Sequence, residues 1–146
     1  MLKYEVVYSN YEKETGISIV EIASGKYGNF TGKAKLHPEE DLDFISTYFG
    51  CQVAERRAYI KLLKAACRDY SSKISALNEL ECTVKNSKEY DKDNLIARKL
   101  RREKFYYSDL LKETKDIIAL VEKSIPKMEE QRRAYLARIR KSVTNI

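Results

Sequence analysis

Arg57, Lys61, Lys64 and Arg68 follow one another at spacings of four, three and four. On a helix these residues share a face, so they form a basic ladder able to neutralise several phosphate oxygens, the arginines bidentately. A second cluster runs Arg98-Lys99-Leu100-Arg101-Arg102-Glu103-Lys104 into Phe105-Tyr106-Tyr107. Cations leading into aromatics can grip a phosphate and stack a base. A third comprises Arg132, Arg133, Arg138, Arg140 and Lys141, near a helix C-terminus where the dipole favours cations in any case. Each cluster also has a plain explanation as solvated helix surface, with Tyr107 in the core. Arg56 resists that explanation. It falls on an apolar seam, where a cation is costly unless Glu55, Glu81, a partner chain or a ligand answers it.

Enzymatic chemistry finds few residues to work with. His37 is the single histidine, so neither a histidine metal cluster nor a Ser-His-Asp constellation can be built within one chain. Gly25, Gly28 and Gly32 lie in hairpin sequence and open no helix, unlike a phosphate-binding loop. Glu39, Glu40, Asp41 and Asp43 are better read as helix-start acids than as metal ligands. Cys51, Cys67 and Cys82 are odd in number and without a C-x-x-C pair. They read as buried thiols of an intracellular protein. No catalysis, no cofactor and no metal are expected.

The elements that must position these residues come in two kinds. At 146 residues with 43% hydrophobic and 34% charged content, one domain is expected, α+β in class. Residues 1–37 read as a three-stranded antiparallel β-meander: strands near 2–10, 17–23 and 30–36, with hairpin loops at 11–16 and 24–29. In the first strand, strict alternation puts Tyr4, Val6 and Tyr8 on one face. Pro38-Glu39-Glu40-Asp41 then suits a helix start, with Ser46 or Thr47 as a possible second one.

From 38 to 146 the pattern is a helical hairpin with a C-terminal helical extension. Phe49, Val53, Ile60, Leu63, Cys67, Tyr70, Ile74, Leu77 and Val84 step by three and four, with Arg56 and Glu81 filling missed positions, a coiled-coil-like seam. Residues 85–92 read as the reversal, with Asp93 as a helix cap. The returning helix shows Leu100, Tyr107, Leu111, Ile118, Val121 and Ile125 in the same rhythm. Pro126 either kinks it or opens a third helix behind Ser124. A narrow seam and a small sheet make a poor monomer, so a homo-oligomer is expected. No run approaches the ~18 apolar residues of a membrane span.

One stretch resembles a known family. Gly32-Lys33-Ala34-Lys35-Leu36-His37-Pro38-Glu39-Glu40-Asp41, followed by Gly50, Ala54 and Arg57-Ala58, is similar to a pattern in small bacteriophage proteins, the Thoeris anti-defence sponges. The resemblance spans 30–61, and Leu36-His37 stand where a Cys is frequent in that family. It implies a β-meander followed by two long helices, acting in the cytoplasm of an infected bacterium. It also implies sequestration, without chemistry, of a cyclic ADP-ribose-type signal, or of cyclic oligonucleotides as in related sponges. Arg57 would then meet a ligand phosphate, assisted by neighbouring basic residues such as Arg56, Lys61, Lys35 and Arg102. Phe105 or Tyr106 would stack the adenine. Two other readings of the same residues stay open: a nucleic-acid binder tracking phosphates along the basic patches, and a coiled-coil inhibitor or adaptor of a host protein.

Overall fold

The computed structural model describes residues 2–35, 43–86 and 95–144. Three strands, β1 (Glu5–Glu12), β2 (Ile17–Ser24) and β3 (Gly28–Lys35), precede two helices, α1 (Asp43–Lys85) and α2 (Leu95–Thr144). The sheet is antiparallel in the order β1-β2-β3, the α+β meander that the β-branched runs and turn residues dictate. Gly16 closes the first hairpin at a left-handed φ of 70°, its N–H donating to the Glu12 carbonyl at 2.8 Å. A side chain is strained in that conformation. Among the described residues no helix is long and apolar enough to cross a membrane.

Several expectations are corrected. Strand β1 begins later and ends later than 2–10, and it carries a bulge between Val6 and Tyr8. Val6 pairs with Ile22 but Tyr8 pairs with Glu21, so the extra residue sends Val6 and Tyr8 to opposite faces. Helix α1 starts at Asp43, so Ser46 and Thr47 lie inside it and mark no second start. Helix α2 runs through Pro126 as one element, which removes the third helix. There the Ser124 hydroxyl donates to the Val121 carbonyl at 2.6 Å, a local bond in the turn that the proline's missing N–H weakens. The Pro38 turn, His37, the reversal after Asn86 and the Asp93 cap fall outside the described residues.

The chain divides into two compact units, Met1–Leu63 with Ile118–Ile146, and Lys64–Ile117. In the first, β2 alternates strictly: Ser18, Val20, Ile22 and Ser24 are buried and their neighbours half-buried. The face they share with Gly32 and Ala34 of β3 lies on α1. A side-chain carbon added at Gly32 would sit 1.8 Å from the Ala54 carbonyl oxygen and 2.6 Å from the Ala58 nitrogen, so strand and helix backbones touch there. Gly50, Ala54 and Ala58, four apart along α1, are all buried. The narrow seam expected for α1 is therefore wrong over this stretch. Val53, Ile60 and Leu63 are joined in the core by Ala54, Ala58, Tyr59 and Leu62, a broad face that receives the sheet.

The second unit keeps the narrow seam. Tyr70 and Leu77 are buried, and Cys67, Ile74 and Val84 are half-buried. Lys104 of α2 donates to Glu81 of α1 at 3.0 Å, and Tyr107 meets Tyr70 with ring centroids 6.3 Å apart. Partners that fall in α1 as they rise in α2 make the two segments antiparallel. The cysteines are less buried than expected: Cys51 and Cys67 are half-buried and Cys82 is exposed, all free thiols.

Candidate functional site

Gln52, Glu55, Arg56 and Tyr59 recur at i, i+3, i+4 and i+7 along α1 and so project from one side of the helix. With Tyr4 from the segment before β1 and Val121 from α2, they line a cleft of about 410 Å3. Every one of these residues belongs to the first unit. The Tyr4 hydroxyl donates to Glu55 Oε1 at 2.8 Å, and the Tyr4 and Tyr59 rings lie 5.0 Å apart, tilted by 40°. These contacts pin the chain's N-terminal segment to α1.

The electrostatics of the cleft are uneven. Burial, then the hydrogen bond to the Glu55 carboxylate, pushes the Tyr4 phenol up to about 12, so Tyr4 stays a neutral donor. Burial also raises Tyr59. Its ring is 8% exposed, and its hydroxyl is buried with no hydrogen-bond partner among the described residues. Such an orphan donor costs about 1–3 kcal/mol. Arg56 is half-buried and, among the described residues, makes no hydrogen bond or ion pair. The two acids that could have answered it are engaged elsewhere. Glu55 accepts from Tyr4, and Glu81 holds Lys104 at 3.0 Å and Lys85 at 3.2 Å. The cleft thus combines an uncommitted guanidinium, a carboxylate, an amide and two aromatic rings.

Two of the other cations expected to bind a ligand have structural duties. Arg57 Nη1 donates to the Lys33 carbonyl at 2.7 Å, and Lys61 Nζ donates to the Thr31 carbonyl at 2.6 Å. Four helical residues rise about 6 Å and two strand residues about 6.8 Å, so an i, i+4 pair on α1 matches an i, i+2 pair on the antiparallel strand. The two side chains cap the outer edge of β3 and shield it from strand addition. Lys35, at the end of β3, is exposed.

Arg102, Phe105 and Tyr106 are exposed and belong to the other unit. The expected site residues therefore fall into two groups, Arg56, Arg57, Lys61 and Lys35 in the first unit and Arg102, Phe105 and Tyr106 in the second. Within the C-terminal patch, Arg132 is 7% exposed and bonds Glu129 at 3.1 Å, so it is a packed ion pair and not solvated surface.

Tyr4, Gln52 and Tyr59 were not singled out in the sequence. The signal was present as the i, i+3, i+4, i+7 row around Arg56, but Tyr59 looks like core and Tyr4 like strand. The residues behind the family resemblance also acquire a physical role: Gly32, Ala34, Gly50, Ala54 and Ala58 are buried, with Gly32 seated on the Ala54–Ala58 backbone. No family model, curated protein or solved structure matches the chain.

Proposed function

We propose that the chain is a non-catalytic binding protein for a small anionic ligand of nucleotide type, held in the cleft around Arg56. The observation that carries this reading is Arg56 itself, a half-buried cation with no bonding partner among the described residues. A half-buried charge left without a partner is costly, and an anion that supplies charge-assisted hydrogen bonds offsets that cost. The remaining lining suits the rest of a nucleotide. Glu55 and Gln52 can accept from sugar hydroxyls or an exocyclic amine, and the Tyr4–Tyr59 pair offers an aromatic wall. A volume of about 410 Å3 falls within the ~300–1,000 Å3 range of small-molecule sites.

The resemblance to Thoeris anti-defence proteins narrows the proposed ligand to a cyclic ADP-ribose-type or cyclic oligonucleotide immune signal, sequestered in an infected bacterial cell. A homo-oligomer belongs to the same proposal. On the edge strand β1, Val6, Val7 and Tyr8 are 46–52% exposed, apolar surface that a second copy of the chain would cover. To test the reading, the protein is incubated with cyclic ADP-ribose isomers and cyclic dinucleotides, freed of excess by gel filtration, and heated. Mass spectrometry of the supernatant is expected to recover one nucleotide class intact. Retention of none, or release of a processed product, overturns the proposal.

A further inference from the structure

Helix α2 opens with a charge distribution that helix physics disfavours. Its first turn carries no acid, and Arg98, Lys99, Arg101 and Arg102 crowd the first two turns, all exposed. A helix N-terminus bears a positive partial charge, so cations there are repelled while anions are attracted.

The aromatic placement is as unusual. At about 3.6 residues per turn, Arg98, Arg102, Phe105 and Asp109 project from one side of α2, opposite the half-buried Leu100, Tyr107 and Leu111. Phe105 is 70% exposed and Tyr106 59% exposed. A phenylalanine at the centre of the polar face has no packing role there. Tyr106 is held edge-on against Tyr107 at 5.2 Å, and Tyr107 in turn lies under the Lys73 ammonium at 5.1 Å. The tyrosine is thereby fixed as a wall beside the open phenyl ring.

We infer that this face of the second unit is a docking surface for single-stranded nucleic acid, with Arg98 and Arg102 on successive phosphates and Phe105 beneath an unpaired base. Single strands expose the π-faces that Phe105 requires, whereas a duplex hides them. Beyond the aromatics the same side turns mixed, with Asp109, Glu113 and Asp116 exposed around Lys112. Those acids repel a continuing backbone, so the footprint is short, about two or three nucleotides. They also repel an anionic lipid surface.

The test is fluorescence anisotropy with labelled oligo(dT) and oligo(U), the same sequences in duplex, and phosphatidylserine-containing vesicles. The wild-type chain is expected to bind the single strands at about 50 mM salt, with a log–log salt slope near −1.5 to −2 for two or three phosphates neutralised. Phe105→Ala weakens single-strand binding by at least about fivefold, and the double change Arg98→Glu with Arg102→Glu abolishes it. Leu80→Ala, an exposed apolar position outside the patch, changes nothing. Circular dichroism confirms that each variant keeps its helix content, since all four positions are exposed. Absence of single-strand binding, equal or tighter binding of duplex, indifference to Phe105→Ala, or binding to vesicles alone overturns the inference.

Discussion

The Gly32→Ala variant probes the contact on which the first unit is built. The new methyl would stand 1.8 Å from the Ala54 oxygen, 2.6 Å from the Ala58 nitrogen and 2.9 Å from the Ala54 carbonyl carbon. All three are backbone atoms of α1, so no side chain can swing aside. Ordinary contact at about 3.5 Å requires β3 to lift by roughly 1.5 Å. Lifting also stretches the Arg57–Lys33 and Lys61–Thr31 bonds that flank the glycine and loosens Val20, Ile22 and Ala34 from the helix. Overpacking costs about 1–3 kcal/mol, and the immovable neighbours put this site at the top of that range. For a chain of this size, about 3 kcal/mol corresponds to a fall in Tm of roughly 6–12 °C. Gly25→Ala is the matched control, because nothing lies within 4 Å of the added carbon and its φ is not left-handed. The assay is thermal unfolding followed by circular dichroism. A Gly32→Ala melting temperature equal to that of the wild type, or a Gly25→Ala fall of the same size, refutes the reasoning.

Further predictions concern titration and ion pairing. The Tyr4 phenol is raised from its ordinary value of 10.0 to about 12, so the folded state favours its neutral form. The stability this contributes is present below pH 10 and is lost as pH rises through about 12. Ultraviolet titration should therefore show Tyr4 and Tyr59 ionising late, above the ordinary phenol value of 10.0, and Tyr4→Phe should remove one late step. Absence of any late step would contradict the cleft geometry. Glu81 is lowered by hydrogen bonds from Lys104 and Lys85, so its stabilisation is present above its ordinary value of 4.5 and is lost as pH falls through the lower folded value. Glu81→Gln should lower the second unit's stability at neutral pH and flatten its acid limb, read by hydrogen exchange of 64–86 and 95–117, with the variant and the wild type converging at low pH.

The fold was legible because β-branched runs, turn glycines and the three-four seam speak directly of strands, hairpins and helices. The broad face of α1 was not, because Gly50, Ala54 and Ala58 carry almost no hydrophobic signal. Their value is the close approach they permit, which only the strand above them reveals. The bulge at Val7 was hidden for a similar reason, since alternating residues look regular until the partner strand fixes the register. At the site, Arg56 stood out as a cation on an apolar seam. Arg57 and Lys61 matched a phosphate-binding pattern equally well, and their commitment to β3 carbonyls depends on tertiary contacts that spacing does not encode.

On the proposed reading Arg56, and not the neighbouring Arg57, meets the anion. Isothermal titration of the wild type, Arg56→Gln and Arg57→Gln with the nucleotide recovered from the heat-release experiment tests it directly. Arg56→Gln is expected to weaken binding at least about tenfold, or 1.4 kcal/mol, while Arg57→Gln changes affinity by less than about threefold. Unchanged affinity in Arg56→Gln, or a larger loss in Arg57→Gln, contradicts the account.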